Sequence, residues 1–226
     1  MCFSTNMSLG AGAALGVIGI LSVRKVRKRS QLAFAAIPLL FSLQQFSEAF
    51  VWLSLTNKQY EAWEASAVNV FLFFAQALWP AWVPLSIWLL EKEAKRNKIL
   101  GILMILGALL ACYLTYCLFV YPATAAANAH HIAYTLDFPP LFINASITVY
   151  VLSTIAPPFI SSDKKIQILG ISVLGSFVLT QLFFDHYFIS VWCFFAAIVS
   201  GSVLYLVVDM NKSNIKKAEL GKAVPV

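Results

Sequence analysis

Charge is what this sequence has least of. Of its 226 residues only 12% are charged, against 60% hydrophobic, and the mean hydropathy is +0.80. A soluble domain carries about 25% charged residues, so a water-coated globule is excluded. Cysteine is also scarce: Cys2, Cys112, Cys117 and Cys193 form no C-x-x-C pair, and no disulfide framework is implied. No Gly-rich phosphate loop, G-x-S-x-G elbow or H-E-x-x-H pair occurs, so three common catalytic devices have no counterpart. The long apolar runs contain no lysine, which excludes a retinal Schiff base, and no arginine, which argues against a deep site for a strong anion. Haem held by paired intramembrane histidines has no support either.

What remains is a set of apolar runs of membrane length. A helix crosses the hydrocarbon core with about 20 residues, and seven segments qualify: 5–23, 31–55, 66–90, 99–121, 140–160, 166–184 and 187–208. The reading is an all-α, polytopic seven-helix bundle over residues 1–210 followed by a basic tail, 211–226. The first run precedes RKVRKR (24–29), the reverse of a signal peptide. It is read as an uncleaved span with its N-terminus outside. Fifteen of the sixteen Lys and Arg residues then fall on the cytoplasmic side, in 24–29, 91–98, Lys164–Lys165 and the tail, and only Lys58 falls outside. That split is what the positive-inside rule asks of short loops, and it needs an odd number of spans. The net charge of +6 is therefore read as loops held in the cytoplasm, touching anionic headgroups, and not as a nucleic-acid surface. The expected location is a cell inner membrane.

Polar residues within the spans are sorted by depth. Gln44, Gln45, Glu48, Asn69, Asn144 and Gln181 fall in the outer halves, while Asp137, Asp185, His130, His131 and His186 lie at the outer face. Gln44, Gln45, Glu48 and Trp52 share one helix face. A carboxyl at that depth needs a cation, a metal, hydrogen-bond donors or a proton. His186, Ser190 and Cys193 form a second stripe on the last span. The leading expectation is a small neutral, cationic or apolar ligand in a pocket opening outward. Gln44, Gln45, Glu48, Gln181, Asp185, His186 and Cys193 would line it, with Trp52, Trp79 and Trp192 as aromatic walls, in a transporter or sensor. The alternative is a membrane metalloenzyme in which Cys2, His130, His131 and His186 hold Zn or Cu. A third class, a structural or assembly subunit, would show Gly10, Ala11, Gly12 and Gly16 as a lipid-facing stripe. Pro38, Pro80, Pro84 and the Pro157–Pro158 pair mark kinks, and residues 122–139 are expected to be the longest outer loop.

The opening Met1-Cys2-Phe3-Ser4, the block PLLFSLQQFSEAFVW (38–52) and SVWCFFAA (190–197) resemble an uncharacterised bacterial family of small multispanning membrane proteins with a domain of unknown function. The resemblance runs over most of the chain. It implies a bacterial inner-membrane protein and brings no activity, cofactor or functional residue.

Overall fold

Hydrocarbon offers no partner to a backbone N–H or C=O, so a chain this apolar has to satisfy its backbone within helices. The computed structural model describes residues 4–128, 131–139 and 142–222, with side chains to residue 212. It contains seven helices long and apolar enough to span a membrane: α1 (Thr5–Arg24), α2 (Arg29–Thr56), α3 (Lys58–Trp88), α4 (Ala94–Val120), α5 (Ile143–Ile160), α6 (Lys164–Phe183) and α7 (Asp185–Lys212). The spans agree with the sequence reading to within a few residues at most ends; α3 begins eight residues earlier, and a break at Phe184 separates α6 from α7. The last helical segment, Val203–Lys222, continues past residue 210 without interruption.

α2 is the axis of the bundle: 67% of its most apolar stretch is buried, against 22% for α6. α1 lies on it through glycines. A Cβ at Gly19 would stand 2.6 Å from the Leu39 nitrogen, and Gly12 and Gly16 face Phe46 and Ser42. Ser42 Oγ donates to the Gly12 carbonyl at 2.7 Å. The small-residue stripe is therefore a helix–helix seam for its buried part, and of the four residues proposed for lipid only Gly10 meets nothing within 4 Å while Ala11 is half-buried. Large apolar side chains such as Phe119, Leu182 and Phe183 cover the outside, as a lipid-facing surface requires.

The prolines do more than bend helices. Pro38 follows an interruption of α2 at Ala36, and there the Trp82 indole N–H donates to the Ala33 carbonyl at 3.0 Å. In α3 residues Phe73–Leu78 form a π-helical turn just before Pro80. Pro80 has no N–H for the carbonyl five residues back, Ala75, and the Tyr150 hydroxyl of α5 donates to that carbonyl at 2.6 Å. Pro84 likewise leaves the Pro80 carbonyl without its helical donor. α4 passes so close to it that a Cβ on Gly107 would lie 1.8 Å from that oxygen.

One end of the bundle gathers the basic connectors. Gln31 Nε2 donates to Asn211 Oδ1 at 3.1 Å, and Asn211 Nδ2 donates to the Lys25 carbonyl at 2.7 Å, tying α1, α2 and α7. Arg96 Nη1 donates to the carbonyls of Ile160 and Ser161, and Lys165 pairs with Asp209 at 2.6 Å. Glu91 is buried there, accepting from the N–H groups of Lys92, Glu93 and Ser162 and from the Ser162 hydroxyl. Burial by itself would raise its pKa; the Glu93 and Ser162 backbone donors, then the Ser162 hydroxyl and the Lys92 N–H, outweigh it and hold the carboxyl below the ordinary value.

The opposite end departs from expectation. Much of 122–139 is not an open loop: β1 (Ala123–Asn128) and β2 (His131–Leu136) form an antiparallel hairpin. β1 is mostly alanine, a residue depleted in strands, which hid it. β2 alternates, sending Ile132 and Tyr134 onto the bundle; Ile132 is fully buried and Tyr134 stacks on Phe71 at 4.8 Å. The hairpin touches α2, the start of α3 and α7, and so roofs this end.

Two measurements test this packing. Gly107→Ala should lower the thermal midpoint of the purified protein or abolish its folded yield, whereas Gly10→Ala and Gly175→Ala, with open space around them, should be neutral. For Glu91, a lowered folded-state pKa means that its stabilisation is present above the ordinary value of 4.5 and is lost as pH falls through the folded value. Glu91→Gln should cost about 2 kcal/mol near pH 7 and flatten the decline in thermal midpoint below that pH.

Candidate functional site

Most of the polar residues singled out on α2 and α7 meet in one buried node. Gln44, Gln45, Glu48 and Ser190 have no exposed surface. Ser190 Oγ donates to Glu48 Oε1 at 2.6 Å, and Gln45 Nε2 stands 3.5 Å from Glu48 Oε2. The Trp79 indole N–H donates to Gln44 Oε1 at 2.8 Å, and its ring stacks on Phe41 at 3.9 Å. Cys193, buried, neighbours both Glu48 and Gln44. The helix repeat explains the convergence: 44, 48 and 52 recur every four residues on α2, and 190 and 193 lie one turn apart on α7. Among the described residues, Gln44 Nε2, Gln45 Oε1 and the indole nitrogens of Trp52 and Trp192 have no hydrogen-bond partner of oxygen or nitrogen. In hydrocarbon each such atom costs on the order of 1–3 kcal/mol.

Gln181, Asp185 and His186 are elsewhere. All three are exposed at the rim under the hairpin, where Gln181 Nε2 donates to Asp185 Oδ1 at 2.7 Å. Asn69 and Asn144 are exposed as well. His131 stacks on Tyr187 at 4.8 Å. Cys2 and His130 lie outside the described residues, and among the described residues no three His, Cys, Asp or Glu side chains converge as a metal site would need.

Beside the node lie two cavities. The deeper one, about 80 Å³, is lined almost wholly by apolar atoms and takes in Trp79, Tyr150, Thr154, Trp192, Cys193 and Ala196. The other, about 310 Å³, opens under the hairpin and is lined by Gln76, Tyr113, Ser146, Tyr150, Gln181 and Phe188 among others. Tyr150 borders both. Its ring leans on Trp192, which also packs against Phe177 and Phe188. Towards the basic end, buried Phe34, Ile87 and Val203 line the deeper cavity. Gln76 and Tyr150 were missed by sequence reasoning. A glutamine inside a span four residues before a proline was the available signal for the first; nothing local marked the second.

The model of a family of unknown function, DUF6629, matches residues 1–219. The chain belongs to this family. Comparison with curated proteins and with solved structures finds no match. The family assignment therefore agrees with the expectation of an uncharacterised family, and adds no chemistry to the node that residues 38–52 and 190–197 build.

The Gln44–Trp79 bond gives a direct test of the node. A double-mutant cycle with Gln44→Leu and Trp79→Phe should return a coupling of about 0.6–1.7 kcal/mol, read from unfolding in mild detergent. Additive losses would mean that the two side chains stabilise the bundle independently.

Proposed function

We propose that this integral membrane protein binds a small, neutral, largely apolar molecule inside the bundle, entering from the hairpin end, as a transporter or a sensor of that molecule does. The observation that carries the reading is Tyr150, which borders both cavities and leans its ring on Trp192 in the wall of the deeper one, where the Trp192 N–H has no hydrogen-bond partner among the described residues. A guest with one hydrogen-bond acceptor and an otherwise apolar body matches those walls. Neither cavity is lined by an acidic or basic side chain, which favours a neutral guest over a cationic one. The Gln44–Glu48 node forms the polar flank of the deeper chamber through Trp79 and Cys193.

The proposed orientation has the hairpin outside and the basic end in the cytoplasm of a bacterial cell, with the protein in its inner membrane. It is supported by the segregation of Lys and Arg. Labelling of single cysteines placed at 27 and 135 with a membrane-impermeant reagent in intact cells tests it: 135 should react and 27 should not, the opposite pattern would reverse the orientation, and equal reactivity at both would overturn it.

Binding is tested with trichloroethanol, a small neutral alcohol that quenches tryptophan fluorescence. Titrated into the purified protein, it should give a saturable component that Trp192→Phe removes and that Ala196→Leu, narrowing the chamber, weakens several-fold. Quenching that is linear and identical in all three proteins would discard the site.

A further inference from the structure

A third cavity, of about 450 Å³, sits at the basic end. Its walls are polar and come from separate stretches of chain: Lys28 from the α1–α2 connector and Ser30 from the first turn of α2, Lys92 from the α3–α4 connector, Ser161 and Ser162 from the α5–α6 connector and Lys164 from the first turn of α6. On Gln31, Leu90 and Ile166 it lies about one helical turn beyond the residues that border the deeper apolar chamber. Three junctions between helices, far apart in sequence, thus each lend one lysine to a single concavity.

Two carboxylates also face it, Asp163 and Asp209, and their partners decide its electrostatic character. Asp209 is neutralised by Lys165 at 2.6 Å. The Asp163 carboxylate accepts from the Lys165 backbone N–H at 2.9 Å, capping the first turn of α6. Glu91, close by, is saturated by four donors. Lys92 and Lys164, by contrast, are exposed and form no ion pair among the described residues. Asp209 is charge-paired and Asp163 is turned to its own helix, whereas the Lys92 and Lys164 ammonium groups have no carboxylate among the described residues. A concave wall strengthens the field of those charges, and the Ser161 hydroxyl, which accepts from the Asp163 N–H, has a proton to donate.

We infer that this basin is a binding site for a phosphate-bearing anion, held chiefly by Lys92 and Lys164 with Ser161 of the α5–α6 connector. Phosphate is the group that a set of lysines and hydroxyls recognises as a point-charge cluster. The basin opens at a membrane surface, so an anionic phospholipid headgroup and a soluble phosphate both reach it. The inference does not depend on the neutral guest proposed above, because the two sites share no lining residue.

The test uses the full chain in micelles containing equal amounts of phosphatidylglycerol and phosphatidylcholine, with retained lipid counted by native mass spectrometry. Inorganic phosphate is titrated in a parallel thermal-unfolding series against chloride at matched ionic strength. Wild type should retain phosphatidylglycerol preferentially, and Lys92→Gln/Lys164→Gln should reduce that preference by about tenfold. The control Lys95→Gln/Lys98→Gln, which removes the same charge from residues outside the basin, should change it little. A phosphate-dependent rise in thermal midpoint that only the first double variant abolishes, without lipid preference, assigns the site to a soluble anion. Equal effects of the two double variants, or no preference and no thermal shift in wild type, would overturn the inference. Lys92→Arg/Lys164→Arg should restore binding, which separates lost charge from lost fold.

Discussion

A proline or a break in a membrane helix frees carbonyls that lipid cannot satisfy, and the arrangement of this bundle follows from how three carbonyls beside such sites meet their neighbours. Ala33 takes the Trp82 indole, Ala75 takes the Tyr150 hydroxyl, and the Pro80 oxygen lies against the bare Cα of Gly107. Each contact joins a different pair of helices, α2 to α3, α3 to α5 and α3 to α4. Together they fix the rotation of α3. That rotation sets the Trp79 indole against Gln44, so the polar node inherits its geometry from repairs made elsewhere on the same helix.

The two ends of the bundle are built differently. The basic end is sewn by side chains that bond to backbone: Arg96 to Ile160 and Ser161, Asn97 to Trp88, Asn211 to Lys25, Gln167 to Ser161. Connectors so short have little freedom once these bonds form. The hairpin end relies on stacked rings, Tyr134 on Phe71 and His131 on Tyr187, with Ile132 pressed between helices. Its polar rim, Gln181 with Asp185, stays exposed. Rigid sewing at one end and ring contacts at the other leave the hairpin end the less tightly held of the two.

The helical spans were legible because the hydropathy of a run of about twenty residues is read from the sequence alone, and tertiary structure cannot overrule it. The shared face of Gln44, Gln45, Glu48 and Trp52 was legible for a similar reason, since helical periodicity alone aligns them. Depth was not. Gln181, Asp185 and His186 read as partners of that face, yet the break at Phe184 leaves them at the rim, while Ser190 and Cys193 further along α7 reach Glu48. The hairpin was hidden by the alanines of β1. Tyr150 was hidden more deeply: its role exists only because a π turn on another helix, 75 residues away, presents a carbonyl to it. Gln31 and Asn211, 180 residues apart, are coupled in the same non-local way.

The Tyr150 hydroxyl holds a backbone carbonyl while its ring forms part of the partition between two chambers. Swinging that ring aside strands the Ala75 oxygen, and the nearest remedy is for α3 to slide by one residue and rewind its wide turn. The seat of one aromatic ring and the screw pitch of α3 are thereby tied through a single hydrogen bond.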